Sequence, residues 1–165
     1  MKPALMILDL QKAFYRGKAI ESMNHACEYI NAILPTFRGK GLPVIWVKHR
    51  DKKEGLVEGN PEFEFIDQLK AVDGEVQIIK EYGNAFNKTE CKEILQKNGI
   101  DTVIISGYRA EYCVLSTYRG AMDIDLTPIL LKGSLAGEDE ENVGFVYKIS
   151  DVITRRELVK VLKNC

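Results

Sequence analysis

The sequence of 165 residues has no long hydrophobic run, and its apolar stretches, such as Ala4–Leu8, are all short. A helix that crosses a bilayer needs about 20 consecutive apolar residues, so we predict no membrane span and no membrane partner. The first residues, 1–3, lead directly into a strand-like run and lack the apolar core and the cleavage site of a secretory signal. We therefore expect a cytoplasmic protein.

Cysteine is scarce, and so is any excess of charge of one sign. The chain has four cysteines with no CxxC spacing, too few for a disulfide scaffold, so we expect reduced thiols at Cys27, Cys91, Cys113 and Cys165. Lysine and arginine together number 23, aspartate and glutamate 24, and the net charge is −1. This balance argues against a nucleic-acid partner or a membrane-surface role that depends on bulk charge.

The composition is ordinary for a globular protein, with 45% hydrophobic and 28% charged residues. The length is close to the roughly 150 residues of one domain, and about two-thirds of the unfolded surface can be buried without a metal or a disulfide. No linker, internal repeat or low-complexity tract interrupts the chain. We predict one domain that spans residues 1–165.

Short apolar runs rich in β-branched residues predict the strands of a sheet. The runs are continuous rather than alternating, as expected for strands that are covered on both faces. Helical patterns lie between them, and this alternation predicts right-handed crossovers and a mostly parallel sheet between helices. The predicted strands are Ala4–Leu8, Pro43–Val47, Val76–Lys80, Thr102–Ser106, Thr127–Leu131 and a weaker run around Lys148–Ile153.

Apolar spacing and capping residues predict the helices. An apolar stripe with helical intervals over Ile20–Phe37 indicates one long helix, in which we expect Pro35 to cause a kink or an early end. Two further helices begin at pairs that resemble capping boxes, Asn87 with Glu90 and Thr154 with Glu157.

Three reactive side chains lie at the carboxyl ends of predicted strands. Asp9 follows the first run, Lys80 closes the third, and Cys113 lies just past the fourth, where a helix is predicted to start. The carboxyl ends of parallel strands form one edge of an open sheet, and ligands bind in the crevice beyond it. We therefore expect an acid, an amine and a thiol to converge there.

Each of the three residues has a use in nucleophilic catalysis, and each alone has an ordinary structural explanation. A helix N-terminus and the Lys80 ammonium are expected to lower the pKa of the Cys113 thiol, while Asp9 can take its proton and deliver it to a departing amine. Considered singly, Asp9 fits a helix cap, Lys80 a surface charge and Cys113 a core filler. Their coincidence at corresponding strand ends favours the catalytic interpretation.

The segments around these residues resemble motifs of the isochorismatase-like cysteine hydrolase family. Asp9–Phe14 is similar to the D-x-Q-x-x-F opening, and Lys80–Phe86 to the lysine segment, which commonly reads K-x-x-x-S-A-F. Gly107–Val114 resembles the nucleophile turn, in which the cysteine follows a glycine by six and precedes a valine. Trp46 fits the V-x-W-V pattern of the second run. The motifs occur in the family's order.

The resemblance implies a fold, an assembly and a catalytic site. The fold is a Rossmann-like three-layer α/β/α sandwich around a parallel six-stranded sheet, and the assembly is a homo-oligomer (dimer or tetramer) that acts on a small molecule. Asp9, Lys80 and Cys113 are the implied catalytic triad. A cis peptide bond between Tyr108 and Arg109 is also implied, which turns the Arg109 N–H toward the site to form an oxyanion hole with the Cys113 N–H.

Arg109 and the aromatic residues near these motifs allow more than one interpretation. Arg109 can offer its guanidinium to an anionic substrate, or it can bind Glu111 or a neighbouring subunit, and we favour the second. The aromatic residues fit either a small substrate pocket or the ordinary core. They are Phe14, Trp46, Tyr82, Phe86 and Tyr112.

Histidine is too scarce for the metal site that nicotinamidases of the family carry after the second strand, an aspartate with several histidines. The chain has two histidines, His25 on a predicted helix and His49 after the second predicted strand. A catalytic zinc takes about three protein ligands, so we predict no metal and no cofactor. His49 is interpreted as a loop residue or a polar pocket group. Isochorismatases proper lack the nucleophilic cysteine, so Cys113 argues against their reaction.

The leading prediction is a cysteine hydrolase that cleaves a linear C–N bond of a small amide, ureide or carbamoyl compound through a thioester. The alternative is a catalytically idle member of the fold that binds a small ligand or a partner protein, because Arg109 and Tyr112 are unusual in the nucleophile turn. A redox sensor is disfavoured because no second cysteine lies near Cys113. A nucleotide-binding protein is disfavoured because the chain has no glycine-rich phosphate loop.

Overall fold

The computed structural model describes residues 1–163, so the thiol predicted at Cys165 lies outside the described residues. These residues form a six-stranded sheet made of β1 (Pro3–Leu8), β2 (Val44–His49), β3 (Val76–Lys80), β4 (Thr102–Tyr108), β5 (Thr127–Ala136) and β6 (Val152–Ile153). The spatial order is β3-β2-β1-β4-β5-β6, and all neighbours are parallel. The predicted parallel sheet is confirmed.

Helices cover both faces of the sheet. The described helices are α1 (Ala19–Gly39), α2 (Cys91–Lys97), α3 (Leu115–Met122), α4 (Glu140–Lys148) and α5 (Arg155–Lys163). α1 and α5 pack on one face, whereas α2, α3 and α4 pack on the other. None of these described helices has the length and apolar character that a membrane crossing requires. This arrangement is the predicted α/β/α sandwich.

Alternate residues of each strand face the two cores. In β1, Leu5 and Ile7 pack with α1, while Met6 and Leu8 pack with the opposite layer. All four are fully buried, which is why the apolar run is continuous in the sequence.

The long first helix does not end at its proline. α1 continues past Pro35 to Gly39, although proline removes one backbone hydrogen bond from the helix. Leu34 and Phe37, on either side of Pro35, are almost fully buried against the sheet. Their packing offsets the lost hydrogen bond, and the expected early end of the helix is wrong.

The two predicted capping boxes have different outcomes. The N–H of Thr154 donates to the Glu157 carboxylate at 2.9 Å, and the N–H of Glu157 donates to the Thr154 hydroxyl at 3.2 Å, as predicted. α2 begins at Cys91 without a capping bond from the side chain of Glu90. The prediction of a box there is wrong, because the Thr89 hydroxyl accepts the Cys91 N–H at 3.3 Å instead.

The carboxyl ends of β1 and β4 approach each other closely at a glycine. Gly107 has a φ of +117° and is paired with Leu8 in the sheet. A Cβ atom at Gly107 would collide with the backbone of Leu8, so the position requires glycine. The close approach brings Asp9, which follows β1, beside the turn after β4 that carries Cys113.

Candidate active site

The three side chains predicted to converge lie together at the carboxyl edge of the sheet. Asp9 follows β1, Lys80 is the last residue of β3, and Cys113 lies in a single turn of π-helix, Ala110–Val114, that precedes α3. The Lys80 ammonium is 2.8 Å from Oδ2 of Asp9 and 3.4 Å from Sγ of Cys113. A single cation therefore contacts both the acid and the thiol.

Burial separates the ion pair from water. Asp9 and Lys80 each expose 1% of their surface. Within the described part of the chain, Oδ1 of Asp9 has no hydrogen-bond partner, whereas Oδ2 is bound to Lys80. One carboxylate oxygen is thus held in place, and the other is available to accept a proton.

The pKa of the Cys113 thiol differs from the prediction. Burial of the thiol and the negative charge of Asp9 raise this pKa to about 12, although the Lys80 ammonium acts in the opposite direction. Cys113 also lies inside the π-helical turn rather than at the first residue of α3, where the prediction placed it. The expected lowering of the pKa is wrong, because burial of the thiol and then the charge of Asp9 outweigh the effect of the ammonium.

The turn that carries Cys113 folds around the backbone of Arg109. The peptide bond between Tyr108 and Arg109 is cis. The Arg109 carbonyl accepts hydrogen bonds from the N–H groups of Tyr112 at 3.0 Å and Val114 at 3.2 Å. Among the described residues, none offers a backbone acceptor to the Arg109 N–H. A free N–H in such a turn is the kind of donor that an oxyanion hole uses.

The side chain of Arg109 is bound by its neighbours. Its guanidinium donates to Glu111 at 2.9 Å, lies 3.8 Å from Glu138, and stacks over the Tyr112 ring at 4.9 Å. Of the two interpretations drawn from the sequence, the structure supports the second, in which the Arg109 guanidinium binds Glu111. The charge of the guanidinium is already balanced by two carboxylates.

A cavity of about 420 Å³ opens at the thiol. Asp9 and Cys113 contribute polar groups to its wall. Phe14 and Tyr112, two of the predicted pocket aromatics, also line it, and Phe14 stacks on Tyr108 with 5.3 Å between ring centroids. The volume is in the range that binds small organic molecules.

A histidine joins the three predicted side chains. Nδ1 of His49, the last residue of β2, is 3.1 Å from the Lys80 ammonium. One potential ligand atom from each of Asp9, His49 and Cys113 lies within 4.8 Å of the others, close enough to surround a cation. All three groups also contact the Lys80 ammonium, which is 2.8 Å from Asp9, 3.1 Å from His49 and 3.4 Å from Cys113.

Comparison with known proteins identifies the family of the chain. A family model described as the Isochorismatase domain matches residues 3–148. The chain belongs to the isochorismatase family.

Relatives within the isochorismatase family include proteins named as amidases. The uncharacterized isochorismatase family protein YrdC of Bacillus subtilis is 36% identical over 138 residues, which cover 82% of this chain and 74% of the relative. Maleamate amidohydrolase of Pseudomonas putida is 27% identical and covers 99% of this chain and 88% of its own. The crystal structure of N-carbamoylsarcosine amidase from Thermoplasma acidophilum is 28% identical with a TM-score of 0.77, and covers 95% of this chain and 98% of its own.

Three of the predicted pocket aromatics lie outside the cavity of this isochorismatase-family protein. Trp46 is fully buried on the α1 side of the sheet, where its indole N–H donates to the Glu75 carboxylate at 2.6 Å. Phe86 is partly buried and packs against the core of the opposite layer, and Tyr82 is exposed and bound to Lys88. The expectation that these three line the pocket needs correction, because their side chains point to the faces of the sheet or to solvent.

Tyr108 and Glu138 line the cavity but were not predicted. The Tyr108 hydroxyl is 3.3 Å from the Glu138 carboxylate. Burial, with a smaller contribution from this carboxylate, raises the pKa of Tyr108 to about 12. Tyr108 lies inside the nucleophile motif, so its position in that motif could have identified it as a residue of the site. Glu138 comes from the segment after β5, and nothing in its local sequence distinguishes it from other exposed acids.

Contacts between two segments of this isochorismatase-family chain join the residues after Lys80 to the helix after Cys113. After Lys80 the chain passes over α3, where the Ala85 N–H donates to the buried hydroxyl of Thr117 at 3.1 Å. Gly120 of α3 leaves room for Asn84, since a Cβ atom at Gly120 would collide with the Asn84 side chain. The segment after β3 is therefore fastened to the helix that follows the nucleophile turn.

Proposed function

We propose that this protein is a cysteine hydrolase that cleaves the C–N bond of a small amide, ureide or carbamoyl compound. The observation that carries the proposal is the contact of one buried ammonium, that of Lys80, with both the Asp9 carboxylate and the Cys113 sulfur. A structural thiol needs neither partner, whereas a nucleophilic cysteine needs a proton acceptor and stabilisation of its charge. The amidases among its relatives support the type of bond.

The first half-reaction starts from the neutral thiol. As Sγ of Cys113 attacks the carbonyl carbon, the thiol proton passes to Oδ1 of Asp9, the oxygen without a partner. The carbonyl oxygen becomes an oxyanion, which the N–H groups of Arg109 and Cys113 stabilise by about 2.7–4 kcal/mol per donor. Asp9 then gives its proton to the leaving nitrogen, the C–N bond breaks, and a thioester on Cys113 remains.

Water completes the second half-reaction. Asp9 takes a proton from water as the water oxygen attacks the thioester carbonyl. When the C–S bond breaks, this proton passes to sulfur, which restores the thiol and the carboxylate and releases the acid product. Lys80 keeps its proton throughout, and its positive charge stabilises negative charge as it moves between Asp9 and sulfur.

A second candidate is a catalytically idle family member that binds a small ligand or a partner protein. The raised pKa of the Cys113 thiol and the stacked Arg109–Tyr112 pair in the nucleophile turn favour it. The two candidates differ in one observable, the acyl group that the hydrolase transfers to Cys113.

A screen of primary amides, ureides and N-carbamoyl compounds tests the proposal. We expect the Cys113→Ala variant to lose turnover by about 10³-fold or more, because the nucleophile is removed. The matched control is Cys91→Ala, which removes a buried thiol from the core near α2 and leaves turnover intact. Mass spectrometry of the wild type during turnover is expected to detect an acyl adduct on Cys113. Turnover that persists in Cys113→Ala, or a panel without any turnover, would defeat the proposal.

Assembly and location belong to the same proposal. The cavity volume supports a small-molecule substrate. A homo-oligomer, dimer or tetramer, and a cytoplasmic location remain predictions. Light scattering during size-exclusion chromatography measures the first, and fractionation of source cells measures the second.

A further inference from the structure

His49 lies beside the proposed triad and takes no part in the steps above. It ends β2, is partly buried, and borders both the cavity at the thiol and an adjoining cavity of about 510 Å³. Its Nδ1 is 3.1 Å from the Lys80 ammonium. Because an ammonium group has only donors, Nδ1 is the acceptor in this contact, and the neutral imidazole carries its proton on Nε2.

The contact completes the hydrogen bonding of Lys80. An ammonium has three N–H donors, and three acceptors surround this one: Asp9 at 2.8 Å, His49 at 3.1 Å and Cys113 at 3.4 Å. The Lys80 side chain is fully buried, so bulk water does not replace a missing acceptor. With all three in place, the ammonium is held between the acid and the thiol rather than drawn onto the carboxylate alone.

Gln11 of the D-x-Q motif holds His49 in position. The Gln11 side chain is fully buried, and its amide oxygen accepts the His49 N–H at 2.7 Å. Its amide nitrogen donates to the His49 carbonyl at 3.0 Å and to the Phe63 carbonyl at 2.9 Å. The Gln11 side chain therefore pairs with both the N–H and the carbonyl of His49. The D-x-Q motif thus supplies the acid, Asp9, and also positions His49, the third acceptor of the Lys80 ammonium.

We infer that His49 is a positioning residue, which as a neutral acceptor holds the Lys80 ammonium between Asp9 and Cys113 and which on protonation releases it. The inference rests on the proposed function, because it concerns the same site. An imidazolium has no acceptor nitrogen and repels an ammonium, so acid converts the site to a form in which Lys80 is no longer held.

Charged groups from several elements face His49 and determine its pKa. Burial and then the Lys80 ammonium hold the pKa of His49 below its ordinary value of 6.5, so it is neutral at physiological pH. Carboxylates act in the opposite direction and limit the shift. They are Asp9 after β1, Asp51 after β2 and Glu81 after β3. Glu138 and Arg109 line the same cavity as His49.

An NMR titration of the imidazoles in the full-length protein tests the contact without a substrate. The exposed His25 of α1 is the matched control, and His25→Gln assigns the two signals. We expect His49 to be the Nε2–H tautomer at neutral pH and to titrate below the ordinary imidazole value of 6.5. Lys80→Met is expected to raise the midpoint of His49. A His49 that carries its proton on Nδ1, or that titrates at or above 6.5, overturns the inference.

Turnover of an amide found in the screen provides the second test. His49→Gln offers an acceptor oxygen that does not titrate, whereas His49→Leu offers none. We expect His49→Leu to lower kcat by about 10- to 100-fold, the effect of losing a hydrogen bond to a charged group, and His49→Gln to restore it. His49→Gln is also expected to lose less activity than the wild type between about pH 7 and about pH 5. His25→Gln is expected to behave as the wild type.

The outcomes separate the inference from the proposed function. Full activity of His49→Leu, or an unchanged acid loss in His49→Gln, contradicts the inference and leaves the cysteine mechanism in place. A protein that hydrolyses none of the panel while its His49 titrates as expected supports the contact and contradicts the proposed function alone.

Discussion

Lys80 and Asp9 form an ion pair of 2.8 Å in which both side chains are almost completely withdrawn from solvent. Taking a charge out of water costs several kcal/mol, which a close partner and additional hydrogen bonds offset. Lys80 has these additional bonds, but Oδ1 of Asp9 has none among the described residues. The proposed mechanism gives this oxygen a role as the proton acceptor for the Cys113 thiol, with which Asp9 interacts.

Asp9→Asn is expected to change the reactivity of Cys113 and the rate of turnover in opposite directions. The substitution removes a charge that raises the pKa of the thiol, while the Lys80 ammonium that lowers it remains. Iodoacetamide reacts with the thiolate, and its fraction at neutral pH grows as the pKa falls from about 12, so labelling becomes faster. Turnover falls by about 10²- to 10⁴-fold because the proton acceptor is lost. Mass spectrometry of Cys113 and amide hydrolysis measure the two effects.

Two other thiols serve as internal controls in the labelling experiment. Burial above all raises the pKa of Cys27 and Cys91 to about 12, and neither borders the active-site cavity. Their labelling rates are expected to be equal in the wild type and Asp9→Asn. Slower labelling of Cys113 in the variant would mean that Asp9 promotes the thiolate, contrary to the structure.

Lys80→Met is expected to lower the free energy of unfolding by about 3–5 kcal/mol, because it leaves the Asp9 carboxylate buried without a partner. Urea denaturation of the wild type and the variant measures this loss of stability. The double variant Asp9→Asn/Lys80→Met is the control and is expected to be more stable than Lys80→Met, and the reverse order would refute the argument.

Thr117→Val is expected to lower the free energy of unfolding by about 1–3 kcal/mol, since the N–H of Ala85 is left buried without an acceptor. Turnover is expected to fall as well, because the segment that follows Lys80 is then less firmly held against α3. Thr117→Ser keeps the hydroxyl and serves as the matched control. Denaturation curves and kcat are measured for both variants, and equal values for valine and serine would exclude this role of the hydroxyl.

Trp46→Phe is expected to lower stability without a change in kcat or KM, because Trp46 lies in the core and not in the cavity. Although burial acts to raise the pKa of Glu75, hydrogen bonds from Arg38 and Trp46 lower it overall. Loss of the indole bond is expected to cost about 1.5–3 kcal/mol at neutral pH. The cost diminishes as the pH falls and Glu75 becomes protonated. A several-fold change in KM would indicate that Trp46 contacts the substrate and would contradict its assignment to the core.

Side chains at strand ends were easier to locate from the sequence than side chains within strands. Asp9, Lys80 and Cys113 follow or close strands, and parallel strands bring such positions to one edge whatever the details of packing. Trp46 lies inside β2, where alternate side chains point to opposite faces. Its V-x-W-V motif therefore identified the strand correctly but did not show that the indole points away from the cavity.

The parallel sheet between two helical layers and the positions of the acid, the amine and the thiol were determined by the sequence alone, because apolar periodicity and motif spacing are local properties of the chain. The raised pKa of the Cys113 thiol and the third acceptor of the Lys80 ammonium were decided only by the tertiary structure. Both depend on how closely groups from separate strands approach, as His49 and Lys80 do, and on how much water they exclude. No local pattern of residues encodes those two quantities.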